Sequence, residues 1–211
     1  MEDKSQTEYW VDKSTGQPRY KFNQLYNDFE NPWQCEKPTQ SDELNNHLFL
    51  ETIFFGNKKY KKILDIGCGL GSLSNELYKR NNGNVTATDI SEVAIDKAKR
   101  SFPDPLFKVF DIINNDPYNE RFDLIIFSEV LWYCALHLND VIPKIKKMLY
   151  ENGIVGIKQD FPNNQKYFRE YLNGYDELIN KMIESGFNTS SLIISQGLDS
   201  KVLLAKFMLV K

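Results

Sequence analysis

Residues 63–77 read ILDIGCGLGSLSNEL, a short apolar run that passes into three alternating glycines and then into helix-forming residues. At Gly67, Gly69 and Gly71 the backbone must turn sharply and admit a ligand that side chains carrying a Cβ would obstruct. Outward from this turn, strand and helix signals alternate. The spacing predicts a strand over 61–66, a helix over 72–80 and a second strand over 84–90. Ser91 then caps a helix whose apolar face is Ala94, Ile95 and Ala98. A third strand is expected over 105–112, followed by a loop through Asn114, Asn115, Asp116 and Pro117. FDLIIFS (122–128) is apolar throughout, as a strand buried on both faces of a parallel sheet must be. A helix follows over 139–150, Asn152-Gly153 turns the chain into a strand over 153–159, and a helix is expected over 164–185, ending at Gly186. Residues 191–195 and 201–210 are close enough to pair as a hairpin. The pattern is that of an α/β three-layer sandwich: a mostly parallel, seven-stranded Rossmann-like sheet closed by an antiparallel C-terminal hairpin.

The first 60 residues differ in character, being polar and aromatic with Pro18, Pro32 and Pro38 breaking any long helix. From Ser41, a candidate cap, Leu44, His47, Leu48 and Thr52 recur at helical spacing up to Gly56. Residues 1–60 are therefore expected to form a helical cap or lid, and 61–211 the ligand-binding core of a single domain.

The 211 residues suit one domain, and a hydrophobic fraction of 41% can bury a core, which excludes disorder as the main state. With 26 basic and 29 acidic side chains the net charge is −3, giving no basic field for nucleic-acid backbones. Cys35, Cys68 and Cys134 are widely spaced, fitting neither a disulfide framework nor a zinc site, and no His/Asp cluster has metal-ligand spacing. The start, MEDKSQTEYW, has no apolar signal region, and runs such as Leu124–Phe127 are far short of the roughly 20 residues of a membrane span. A cytoplasmic protein, monomer or homodimer, without membrane or nucleic-acid partners, is expected.

The glycine spacing also narrows the ligand. A dinucleotide fingerprint needs Gly-x-Gly-x-x-Gly, but the sixth position from Gly67 is Ser72. No Gly-x-x-x-x-Gly-Lys-Ser/Thr is present, which excludes a P-loop. Instead Asp65 stands just before the glycines, where a carboxylate would repel a pyrophosphate and suit a cation.

Asp65-Ile66-Gly67-Cys68-Gly69-Leu70-Gly71 resembles the glycine-rich motif of class I S-adenosylmethionine-dependent methyltransferases, and the resemblance extends over about residues 45–210. It implies that Asp65, Gly67, Cys68, Gly69 and Gly71 hold the methionine end of S-adenosylmethionine, whose product is S-adenosylhomocysteine. It places Asp89 and Ile90 at the ribose, Asp111 and Ile112 at the adenine, and Ser128 near the reacting centre. SEVLWY (128–133), with Tyr26, Glu30-Asn31-Pro32-Trp33 upstream, is similar to nodulation-type enzymes that N-methylate an amino sugar. Asn31 departs from that group's usual aspartate. Lys158-Gln159-Asp160 echoes enzymes that methylate protein α-amines.

The resemblance thus implies methyl transfer to an amine or hydroxyl of a small polar metabolite, a sugar or sugar-like compound. A protein α-amine methyltransferase and a non-catalytic donor-binding module remain alternatives. Glu129 and His137 are the candidate catalytic residues; Trp33, Trp132, Tyr133 and Asp160 are the candidates for contacting the acceptor, with Trp10, Tyr20 and Tyr26 as further lid aromatics. Cys68, with no base spaced to activate it, reads as a small filler.

Overall fold

The computed structural model describes residues 5–33 and 40–210, so that Cys35 and Pro38 lie outside the described residues. Its elements in order are α1 (Thr7–Trp10), α2 (Phe22–Asp28), α3 (Gln40–Ile53), β1 (Ile63–Ile66), α4 (Ser72–Asn81), β2 (Val85–Asp89), α5 (Glu92–Ser101), β3 (Leu106–Val109), β4 (Phe122–Ser128), α6 (Leu131–Cys134), α7 (Leu138–Met148), β5 (Leu149–Pro162), α8 (Tyr175–Glu184), β6 (Phe187–Gln196) and β7 (Ser200–Leu209).

The strands form one seven-stranded sheet in the order β3-β2-β1-β4-β5-β7-β6. From β3 to β5 the pairs are parallel; β7 joins β5 and β6 antiparallel, as the hairpin signal predicted. The strand order reverses between β1 and β4, and in open α/β sheets ligands bind outside the carboxyl ends at such a point.

Alternation along the strands fills two cores. Ile63 of β1, Leu124 and Ile126 of β4 and Ile154 of β5 face Phe49, Leu50 and Ile53 of α3 and Leu77 of α4. Leu64 and Ile66, Ile125 and Phe127, and Val155 and Ile157 face the opposite way, onto α7 and α8. Both faces of β4 are thus covered, which is why its sequence is apolar without alternation. Residues 5–33 lie over the carboxyl ends of the strands, where Phe22, Leu25 and Tyr26 pack with Tyr9 against Ala94 of α5.

Several boundaries differ from expectation for local physical reasons. The helix expected over 164–185 forms only from Tyr175; before it, Phe168 (φ +61°) and Gly174 (φ +90°) are left-handed, which a helix cannot carry. The Gln165 amide donates to the carbonyls of Tyr167 (3.1 Å) and Leu172 (2.8 Å), and Phe168 and Leu172 are buried, so tertiary packing outweighs helical propensity there. β5 begins at Leu149, ahead of the Asn152-Gly153 turn, by pairing Leu149 with Phe122 across a register shift. β3 stops at Val109, because Asp111 forms a side-chain-stabilised turn instead. In α3, Ser41 lies within the helix rather than capping it, Leu44 and His47 are exposed, and Asn45, Phe49, Leu50, Thr52 and Ile53 form the buried face.

Candidate functional site

Gly67, Gly69 and Gly71 follow β1 with φ of +73°, +53° and +85°. The Gly67 and Cys68 amides both donate to the Thr88 carbonyl, at 2.7 and 2.8 Å, tying the loop to the end of β2. A Cβ at Gly67 would stand 2.4 Å from Val130 Cγ2, so this position excludes any side chain.

Asp65 is 1% exposed, accepts a 2.6 Å hydrogen bond from the Ser74 hydroxyl, and burial pushes its pKa up to about 6. Asp89, at the end of β2, accepts from the Gly69 amide (2.9 Å) and the Ser91 amide (2.8 Å), and burial raises its pKa above the ordinary carboxylate value. Ser91 Oγ accepts from the Ala94 amide at 3.1 Å, the N-cap that the sequence promised. Asp111 accepts from the amides of Ile113 (2.8 Å) and Asn114 (3.1 Å) and from the Asn114 side chain (2.7 Å). These three acids line a single cavity of about 590 Å³ together with Gly67, Cys68, Gly69, Gly71, Ile90, Ile112 and Ser128. The Cys68 thiol is held well above its usual pKa by burial, so it stays protonated.

The same cavity is lined at its other end by Trp33, Glu129, Trp132, Tyr133 and Asp160. Glu129 is left-handed (φ +58°), and its carboxylate accepts from the Asp160 amide (2.8 Å) and the Gln159 side chain (3.0 Å), with Lys158 Nζ at 3.6 Å. Enclosure raises the Glu129 pKa, while the Lys158 charge pulls it down. Asp160 is likewise raised by burial, opposed by a Ser200 hydrogen bond and by Lys158. Gln159, fully buried, accepts from the Leu131 amide (3.0 Å) and so locks the start of α6 to β5. The Trp132 indole donates to the Asp160 carbonyl (2.9 Å), and Tyr133 meets Phe22 and Trp10 edge-on at 5.0 and 5.8 Å.

Not every expected residue reaches the cavity. His137 lies in the short 3-10 turn over 135–137, half-buried and not among the lining residues, and Trp10 does not line the cavity but packs behind it, against Tyr133 and the Phe22 and Tyr26 cluster. Tyr20 and Tyr26 do line it. The structure also brings in Asp42 and Asn46 from α3 and Lys158 from β5, none of which the sequence reading singled out as a site residue. Lys158 donates to Asn46 Oδ1 at 2.8 Å and is the only basic side chain among the described lining residues. A lysine inside the apolar run GIVGIKQ was the available signal. Among the described residues no group of three or more His, Cys, Asp or Glu could hold a metal ion, and no helix is long and apolar enough to cross a membrane.

Residues 57–189 match the family model described as a methyltransferase domain. The chain belongs to the methyltransferase-domain family. Its fold is that of the class I S-adenosylmethionine-dependent enzymes. It is 28% identical over 145 residues to ribosomal RNA small subunit methyltransferase C of Haemophilus influenzae, covering 64% of this chain and 43% of that protein. It is 28% identical over 106 residues to trans-aconitate 2-methyltransferase of Variovorax paradoxus, covering 50% and 40%. The chain thus spans less than half the length of these curated relatives. In structure it is similar to N-methyltransferase NodS of Bradyrhizobium japonicum in complex with S-adenosylhomocysteine, with a TM-score of 0.76 and 20% identity over 91% of this chain and 98% of that one. It is also similar to magnesium protoporphyrin IX methyltransferase of Synechocystis with bound S-adenosylmethionine, with a TM-score of 0.66 and 18% identity over 90% and 94%.

Proposed function

We propose that this methyltransferase-domain protein transfers a methyl group from S-adenosylmethionine to an amine or hydroxyl of a small polar metabolite, of a sugar or sugar-like kind. The observation that carries the reading is the single cavity in which Asp65, Asp89 and Asp111, at or beside the carboxyl ends of three adjacent strands, converge with the glycine loop. The site residues fit the donor: carboxylates suit its sulfonium and ammonium, and the left-handed glycines leave the loop backbone open to it.

S-adenosylmethionine, when bound, supplies a methyl carbon already activated by its sulfonium, so the protein has mainly to align the acceptor and exclude water. In this reading Gly67 and Gly69 admit the methionine end, Asp89 accepts from the ribose hydroxyls, and Asp111 and Ile112 flank the adenine. Ser128 and Glu129 face the reacting centre from the end of β4. Glu129, with its pKa raised by enclosure, takes the proton that an ammonium or hydroxyl acceptor must release at its Oε atoms. Asp160 and Asp42 add negative charge at that end, which favours an amine over an anionic acceptor. Trp33, Trp132 and Tyr133 supply apolar and π surface for the acceptor. His137 has no part in this reading.

Calorimetric titration with S-adenosylhomocysteine tests the donor assignment. Micromolar binding is expected, weakened about 10- to 100-fold in Asp89→Ala, as the loss of charge-assisted hydrogen bonds entails. No binding at millimolar product would overturn the reading. Matched amino sugars and neutral sugars, offered with labelled donor, then test the acceptor class.

A further inference from the structure

The roof of the cavity is fastened at both ends to one helix. Phe22 and Tyr26 of α2, and Trp33 beyond it, line the cavity from above. At the start of α2, Asn23 Oδ1 accepts from the Ser91 hydroxyl (2.9 Å) and the Val93 amide (3.4 Å) of the α5 N-terminus. Just past its end, Lys97 of α5 donates to the carbonyls of Phe29 (3.2 Å) and Glu30 (3.3 Å) and to the Glu30 carboxylate (3.2 Å).

The Lys97 side chain is only 15% exposed, although its carboxylate partner is 93% exposed. An ion pair to so solvated a carboxylate contributes little by itself. The two backbone carbonyls matter more: they follow the last helical residue, where Phe29 is already extended, and one mostly buried ammonium ties both of them to α5. Between the two fastenings, Tyr26 is 2% exposed and accepts a 2.9 Å hydrogen bond from the Trp33 indole. Its hydroxyl stands 2.8 Å from where a Cβ on Gly69 would be, so the roof rests directly on the glycine loop. α5 itself starts immediately after Asp89, Ile90 and the cap Ser91, so one rigid element joins the roof to the strand end that carries Asp89. Neither Asn23 nor Lys97 lines the cavity.

We propose that Lys97 is a positioning residue for the methyl donor: by clamping the C-terminal end of α2 onto α5, it holds Tyr26 and Trp33 closed over the bound donor and sets how slowly the donor escapes. This rests on the donor reading above. A lysine in that position makes no contact with the ligand, so its effect falls on dissociation and leaves the contacting groups intact.

The test is stopped-flow tryptophan fluorescence with S-adenosylhomocysteine on the wild type, Lys97→Met and Lys97→Arg, with amide exchange followed over residues 22–30. Lys97→Met keeps the aliphatic stem, so it preserves packing while removing the three donors. The dissociation rate is expected to rise about tenfold in Lys97→Met with the association rate within about twofold, to return towards wild type in Lys97→Arg, and exchange over 22–30 is expected to quicken. A dissociation rate within twofold of wild type in Lys97→Met, whether or not exchange quickens, overturns the proposal while leaving the donor reading intact. If Lys97→Met does not fold, Lys97→Gln gives the same readout under the same criterion. Failure of the wild type to bind S-adenosylhomocysteine at all would instead sink the donor reading, and this proposal with it.

Discussion

Placing a methyl group on Gly69 forces the roof and the floor of the cavity into the same space. The residue has φ +53°, and its Cβ would stand 2.8 Å from the Tyr26 hydroxyl but 3.9 Å from the ring carbon that bears it. Left-handed backbone costs a non-glycine residue about 1 kcal/mol. The hydroxyl must then retreat by a few tenths of an ångström from a position where it accepts the Trp33 indole at 2.9 Å, weakening that bond by about 1 kcal/mol. Gly69→Ala should therefore cost about 2 kcal/mol, or about 4–8 °C in Tm for a chain of this size. Tyr26→Phe alone removes the same hydroxyl, and with it the bond from the Trp33 indole, and should cost about 1 kcal/mol. It also removes the clash, so the double variant should cost about 2 kcal/mol, not the 3 that additivity gives. Urea unfolding of the wild type, both single variants and the double variant completes the cycle. Additivity within about 0.3 kcal/mol would refute the close approach of roof and loop.

Two further outcomes follow from buried positions. A Cβ on Gly156 would meet Ile126 Cδ1 and Ile53 Cδ1, both at 2.6 Å, so Gly156→Ala should destabilise by about 1–3 kcal/mol. Ile53→Val, which deletes one of those methyls, should recover part of that loss; denaturant titration showing no recovery would refute the packing of α3 on β5. Asp65 binds its proton more tightly folded, with a pKa of about 6, than unfolded, so the native state holds the extra proton and stability falls as pH rises from about 4 to 6. Asp65→Asn should therefore gain on the wild type by about 3 kcal/mol between pH 4 and 7 in the ligand-free protein; a difference that does not change with pH would contradict the burial of that charge.

The convergence of Asp65, Asp89 and Asp111 on one cavity was legible because all three lie at or beside strand ends. Asp65, Asp89 and Asp111 each follow or close a β-rich run, and periodicity alone places those ends on one side of a parallel sheet. Ser91 was legible for a similarly local reason, since a cap needs only its own helix. The side of the cavity formed by α3 and β5 was not. Asn46 and Lys158 are 112 residues apart, and nothing in either segment announces the other. Their meeting depends on which face α3 buries, and that face interleaves Asn45 and Thr52 with Phe49, Leu50 and Ile53, blurring the apolar stripe. Residues 163–174 misled for the opposite reason: Phe168 and Leu172 have helical spacing, but their burial is met by a left-handed turn. His137 drew notice by its rarity and by its place in the chain after the fourth strand, and neither settles which way a side chain points.

The placing of α3 against β7 also constrains the order in which a growing chain can become native. The Lys206 ammonium reaches back 154 positions to the Thr52 carbonyl, and Leu204 shares a core with Phe49, Leu50 and Ile53. During synthesis, residues 40–53 leave the ribosome long before 200–209 exist, so α3 must wait with part of its apolar face uncovered while the intervening strands emerge. Contacts closed over such separations form slowly and leave sticky surface available in the interval. The helix is thus made well before the strand that secures it, and it marks where a nascent chain of this fold depends on protection from aggregation.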